Sequence, residues 1–173
     1  MYNSIYDYIV KNMEKNYTIV ECGGHMGHDT IKLCEYFNNG KIYTIEANYE
    51  LFVKLCELKN KYENLHVDNL ALSNKDEMIK FYVDKNPEGD CGASSILKST
   101  ESYLINYIKK EEETMIKSVK LETFMKNNNI KNIDMLWLDI EGFEYYVFES
   151  SENILNNVKY IYTEVNFQMF REN

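Results

Sequence analysis

The sequence predicts an α/β fold in which one domain, residues 1–173, is built on a mostly parallel central sheet. Three observations carry this. Short β-rich runs alternate with amphipathic segments along the chain, the pattern of strand–helix–strand units. "MLWL" (Met135 to Leu138) is apolar without interruption, as suits a parallel strand covered by helices on both faces. One proline and seven glycines leave little material for a linker, and 173 residues suffice for one well-packed core.

Taken in order, Tyr6, Ile9, Val10 and Met13 share one face at helical spacing and predict an amphipathic first helix. "YTIVEC" reads as a first strand running into Gly23-Gly24. "HDTIKLCEYF" places Ile31, Cys34 and Phe37 on one helical stripe, and Asn38-Asn39-Gly40 ends that helix. "KIYTIEA" is a second strand, and "YELFVKLCELKNKY" a helix with Leu51, Leu55 and Leu58 on one side. "NLHVDNLAL" supplies a third strand and a loop. "MIKFYVD" and "VKLETF" then alternate apolar and polar residues around a loop containing "GDCGASSIL". We read this region as a small β insertion between the third and fourth strands of the sheet. The fourth strand is "NIDMLWLDI", a helix starts near Phe143, and "VKYIYTEVNF" is the last strand.

Bulk properties exclude several classes of function. Nineteen basic against 28 acidic side chains give a net charge of −9, which argues against a large nucleic-acid footprint. "KKEEETMIK" (Lys109 to Lys117) reads as a solvated helix or loop. No apolar run approaches the roughly 20 residues of a membrane span, and the acidic N-terminus does not read as a secretory signal. Cys22, Cys34, Cys56 and Cys91 form no CxxC pair, so reduced thiols in a cytoplasmic protein are expected.

The chemistry concentrates in "IVECGGHMGHDTIKL", Ile19 to Leu33. A zinc site is disfavoured because His25, His28, Cys22 and Asp29 straddle a strand end, a turn and a helix start, and no second His or Cys pair follows. There is no GxxxxGK[ST], and fitting GxGxxG onto Gly24 and Gly27 puts Cys22 at its first glycine. Glu21 would also repel a pyrophosphate. A cation reverses that sign. S-adenosylmethionine carries an ammonium and a sulfonium and no phosphate. Glycines permit close backbone approach to it, and the next helix offers N–H groups to its carboxylate. Glu46 ends the second strand about 25 residues on, near where acidic side chains grip ribose hydroxyls. In "VDNLAL", Asp68 or Asn69 is placed to meet the adenine edge, with Ala71 beside them.

"VECGGHMGHDTIKL", "IYTIEANYELFVKL", "NLALSNKDEMIKFYV", "GASSIL", "VKLETF" and "LWLDIEGFEYYVFE" together resemble, in order, the FkbM family of S-adenosylmethionine-dependent methyltransferases. The likeness covers about Thr18 to Asn166. It implies a class I, Rossmann-like methyltransferase fold and methyl transfer, typically to oxygen. The family's first motif falls on Glu21, Gly23, Gly24, His25 and Gly27, with His25 where asparagine is usual. Its second acidic motif falls on Glu46-Ala47-Asn48, without the common proline, and its Asp-x-Glu-Gly motif on Asp139, Glu141 and Gly142. The chain closes soon after the fifth strand, where class I methyltransferases usually add a strand pair.

Asp139, at the end of a central strand, is the candidate base for a hydroxyl acceptor, and Glu164 is the candidate across the cleft. Asp139, Glu164 and Asn166 are the oxygen ligands if Mg²⁺ takes part. Glu144 is expected to serve the helix start, where carboxylates suit the dipole. The expected acceptor is a small molecule or glycan. Two alternatives stay open: a catalytically silent cofactor-binding subunit, and an NAD-dependent oxidoreductase.

Overall fold

The computed structural model describes residues 4–85, 92–165 and 169–172. Helix α1 (Ile5–Asn12) is capped by the Ser4 hydroxyl, which accepts from the Asp7 N–H at 3.2 Å. Strand β1 (Thr18–Cys22), helix α2 (His28–Tyr36), strand β2 (Lys41–Ile45), helix α3 (Tyr49–Leu58) and strand β3 (Leu65–Asp68) follow. Further on, β7 (Met135–Leu138), α6 (Glu144–Ser150), α7 (Glu152–Leu155) and β8 (Tyr160–Thr163) complete the main layer. Its five strands lie in the order β3-β2-β1-β7-β8 with every pair parallel. The chain thus winds outward from β1 to β3 and then returns to the other side of β1. The strand order reverses between β1 and β7, and ligands of open parallel sheets bind at such a switch point.

Both faces of the sheet are covered. Ile19, Ile42, Met135 and Trp137 pack with Ile9 and Leu33 of α1 and α2 and with Met13 and Phe37, the residues that cap their C-terminal ends. Val20, Tyr43, Leu136 and Leu138 pack on the opposite side with Leu121, Phe124, Phe143 and Val147. This two-sided burial is why "MLWL" shows no alternation. On α2 the buried stripe is Thr30, Leu33 and Cys34, with Ile31 only half-buried. The stripe is turned from the expected one because the Thr30 hydroxyl is drawn inward to Glu21.

Between β3 and β7 lies a second, three-stranded sheet in the order β4-β6-β5, formed by β4 (Ala71–Leu72), β5 (Glu77–Asp84) and β6 (Glu111–Val119). The expected insertion is there, with two differences. The charged run "KKEEETMIK" is largely β6, an antiparallel partner of β5 over the whole of that strand. Glu112 and Glu113 face solvent, Glu111 turns inward to accept from the Ser99 hydroxyl, and the strand's pairing, including Lys80–Glu113 at 2.9 Å, comes from β5 rather than from local apolar pattern. "LETF" begins helix α5 (Leu121–Asn127), and a short helix α4 (Glu101–Tyr103) runs into a π-helical turn (Leu104–Ile108) between β5 and β6. No helix among the described residues is long and apolar enough to cross a membrane. Cys22 and Cys34 are buried free thiols and Cys56 is a partly buried one, while Cys91 lies outside the described residues.

Candidate active site

A cleft of about 480 Å³ opens at the carboxyl ends of β1, β2 and β7, the size of a small-molecule site. The turn after β1 forms its floor. Gly23 and Gly27 have φ of +88° and +81°, and His25, at +46°, is left-handed as well. A Cβ on Gly23 would stand 1.9 Å from the backbone oxygen of Asp139, so the turn presses directly on the end of β7. At Gly24 a Cβ would meet Thr44 at 2.3 Å, and at Gly27 it would meet Leu58 at 2.7 Å. These glycines let three backbone segments converge beneath the cleft.

Two carboxylates stand at the strand ends. Glu21 is buried, and its Oε2 accepts from the hydroxyls of Thr30 (2.7 Å) and Thr44 (2.6 Å). Burial pushes its carboxyl up to about 7, against the two hydroxyls that favour the ionised form. Glu46 is also buried and takes two backbone N–H groups, from His25 at 2.8 Å and from Asn48 at 2.7 Å. Burial raises its pKa too, opposed by those same bonds. Glu46 therefore clamps the glycine turn to the loop that opens α3.

The third edge follows β7. Asp139 stands at the mouth, where protein packed around it and the nearby Glu164 push its carboxyl up to about 6. Glu141 has φ +56° and Gly142 φ +101°, a tight turn held by Glu144, whose carboxylate accepts from the N–H of Ile140 (2.9 Å) and of Gly142 (3.0 Å). Ligand oxygens of Asp139, Glu141 and Glu164 all lie within 4.8 Å of one another. Burial lifts Glu141 to about 7, opposed by Arg171. Arg171 is itself buried and donates to the Glu141 carboxylate (3.1 Å), the Glu141 carbonyl (3.1 Å), the Ser99 hydroxyl (2.7 Å) and the Ala93 carbonyl (2.8 Å). It ties the insertion to the turn after β7.

The lining includes Glu21, Gly23, Gly24, His25, Glu46, Ala47, Ala71 and Asp139 of the residues expected from sequence. Gly27, Asn48, Asp68, Asn69 and Glu164 are not among the lining residues. Gly27 faces the leucines of α3, and Asn48 caps α3 by accepting from the Glu50 N–H at 3.0 Å. Asn69 turns back to donate to the carbonyls of Glu46 (2.8 Å) and Ala47 (3.1 Å), so it supports the second acidic loop rather than standing in the cleft. Asp68 is half-buried at the end of β3, and Asn166 lies outside the described residues. Sequence reasoning missed Asp29, Asp84, Ser94 and Tyr107 of the lining. The signal for Asp29 was its place two residues after Gly27. Nothing local marks the other three, which the insertion brings in.

Residues 21–173 match the methyltransferase FkbM domain. The chain belongs to the FkbM methyltransferase family. A relative is the 2-O-methyltransferase NoeI of Sinorhizobium fredii, 21% identical over 170 residues, which cover 95% of this chain and 70% of NoeI. The fold is that of class I methyltransferases. The crystal structure of methyltransferase FkbM from Methylobacillus flagellatus KT superimposes on 82% of this chain with a TM-score of 0.54 at 11% identity. This chain spans about 30% of that larger one. Family membership makes the cleft the candidate site of methyl transfer.

Proposed function

We propose that the chain transfers a methyl group from S-adenosylmethionine to a hydroxyl oxygen of a small molecule or glycan. One observation carries the choice of cofactor. The described lining holds six carboxylates (Glu21, Asp29, Glu46, Asp84, Asp139 and Glu141) and no lysine or arginine. Such a cleft attracts a cation and repels a pyrophosphate, which sets the NAD alternative aside. The residues fit the group: glycines allow close approach, and Glu46 at the end of β2 is the carboxylate for ribose hydroxyls. When bound, the cofactor supplies an electrophilic methyl on a sulfonium.

The chain's own task is positioning and proton transfer. Asp139 accepts the hydroxyl proton, with Glu164 beside it. The insertion contributes Phe81, Asp84, Ser94, Tyr107 and Ile108, and the acceptor belongs on that side. A hydroxyl acceptor accords with the name of the 2-O-methyltransferase NoeI. A second reading, in which Asp139, Glu141 and Glu164 hold a divalent cation that acidifies the hydroxyl, is favoured by their mutual approach to within 4.8 Å. The free thiols accord with a reducing compartment such as the cytoplasm.

Thermal-shift measurements with S-adenosylmethionine, S-adenosylhomocysteine and NAD test this. The two sulfur cofactors should stabilise the fold by about 2.7 kcal/mol at a hundredfold excess over Kd, and NAD should not. Because Glu21 is protonated below about 7 in the free protein and a cation favours its ionised form, S-adenosylmethionine affinity should rise as pH climbs from about 5 to above 7. Stabilisation by NAD alone would reverse the reading. Methylation of an acceptor panel in a single turnover then separates an enzyme from a silent subunit.

Glu46→Ala should weaken S-adenosylmethionine by roughly 1.5–3 kcal/mol, the range for hydrogen bonds to a charged group. It should also lower stability by roughly 1–3 kcal/mol, since the N–H groups of His25 and Asn48 lose their acceptor. A folded variant with unchanged affinity in calorimetry would remove Glu46 from the cofactor site.

A further inference from the structure

The first helix reaches the cleft. The Tyr6 hydroxyl of α1 donates to Oδ1 of Asp29, which lies in the first turn of α2 and lines the cleft. The Tyr6 ring is fixed from two sides. It packs on Trp137 of β7 with centroids 6.1 Å apart, and the Lys32 ammonium sits over it at 4.4 Å. Lys32 also approaches Asp29, again at Oδ1, at 3.5 Å. Oδ2 of Asp29 takes no hydrogen bond among the described residues. Helix α1 precedes the matched residues 21–173, and Asp29 lies within them.

We propose that Asp29, oriented by Tyr6, receives the ammonium group at the amino-acid end of the cofactor. This rests on the reading of the cleft as an S-adenosylmethionine site. An amino-acid end is a zwitterion and needs a donor set and an acceptor close together. The N-terminus of α2, just past the glycine turn, offers the donors, and Asp29 in its first turn offers the acceptor. The other carboxylate at this end, Glu21, is less suited to hold the charge alone. It is buried, and its Oε2 already takes two threonine hydroxyls. Glu46 is clamped by two backbone N–H groups at the end of β2. Asp29 is about half-exposed, with one oxygen set by Tyr6 and the other available. Burial and Asp29 itself raise the Tyr6 pKa, so its hydroxyl stays a donor across the working pH range. The charge of Asp29 is felt at Glu21, Asp139 and Tyr162, the glycine-turn and β7–β8 side of the cleft, which separates it from the acceptor wall of the insertion.

Calorimetry with two ligands tests this without knowledge of the acceptor. S-adenosylhomocysteine carries the amino-acid end, and 5′-methylthioadenosine has the same nucleoside without it. Asp29→Asn should weaken S-adenosylhomocysteine about ten- to hundredfold, as for loss of a bond between charged groups, and leave methylthioadenosine within about twofold. Tyr6→Phe keeps the ring on Trp137 and should weaken S-adenosylhomocysteine about three- to tenfold, again sparing methylthioadenosine. A purely structural role would move both ligands together. Equal losses for the two ligands, or no loss of S-adenosylhomocysteine binding in Asp29→Asn, overturn the proposal. A wild-type protein that binds neither ligand overturns the cofactor reading and this inference with it.

Discussion

Gly23→Ala is expected to destabilise the fold by about 2–5 kcal/mol, from overpacking of about 1–3 kcal/mol and a left-handed φ that costs about 1–2 kcal/mol for a residue with a Cβ. The obstacle is a backbone oxygen, that of Asp139 at 1.9 Å, and no side-chain rotation relieves it. Nor can Asp139 move freely, because its N–H donates to the Cys22 carbonyl at 3.0 Å and continues the β1–β7 pairing. Gly24 meets side chains of Thr44 and Leu55 instead, which can shift, although rotating Thr44 would break its bond to Glu21. At roughly 2–4 °C per kcal/mol for a chain of this length, Gly23→Ala should lower the melting temperature by about 10 °C. A melt within about 2 °C of wild type would mean that the switch point is not closed as tightly as the structure has it.

The strand ends were legible in the sequence because a parallel strand buried on both faces ends abruptly. "TIV" stops at Glu21, "IYTI" at Glu46 and "MLWL" at Asp139, and the three acids stand at the carboxyl edge of one sheet. The glycine turn was legible for a similar reason, since Gly23 and Gly27 answer to local backbone geometry. What the sequence concealed depends on partners far along the chain. Tyr6 meets Asp29 23 positions on, and Arg171 meets Glu141 30 positions back; no local period marks either. Strand β6 was hidden because it carries four charged residues, Glu111, Glu112, Glu113 and Lys117, and owes its conformation to β5. Asn69 stands in the expected loop, and the structure gives its amide a supporting task there. Its amide serves the carbonyls of Glu46 and Ala47, a choice set by how close β2 and β3 run.

Asp139→Asn is expected to slow methylation at least about a hundredfold, the lower end for a general base, while S-adenosylmethionine binding falls only modestly. The substitution keeps the shape and removes the charge. The environment already suits the task, because desolvation by the protein packed around the cleft mouth and the charges of Glu164 and Glu144 lift the carboxyl to about 6, nearer to working pH than an ordinary aspartate. The sign follows from the form that works. A base must be ionised, so wild-type turnover should fall as pH drops through about 6 and level off above it, and the Asn variant should lose that inflection. Treatment with EDTA separates the two roles open to this carboxylate. Turnover that survives the chelator assigns Asp139 to proton transfer, and turnover that disappears and returns with Mg²⁺ assigns it, with Glu141 and Glu164, to a cation. Near-normal turnover of Asp139→Asn on a verified acceptor would remove Asp139 from the chemistry. Glu164, within reach of the same proton, would then be the next base to test.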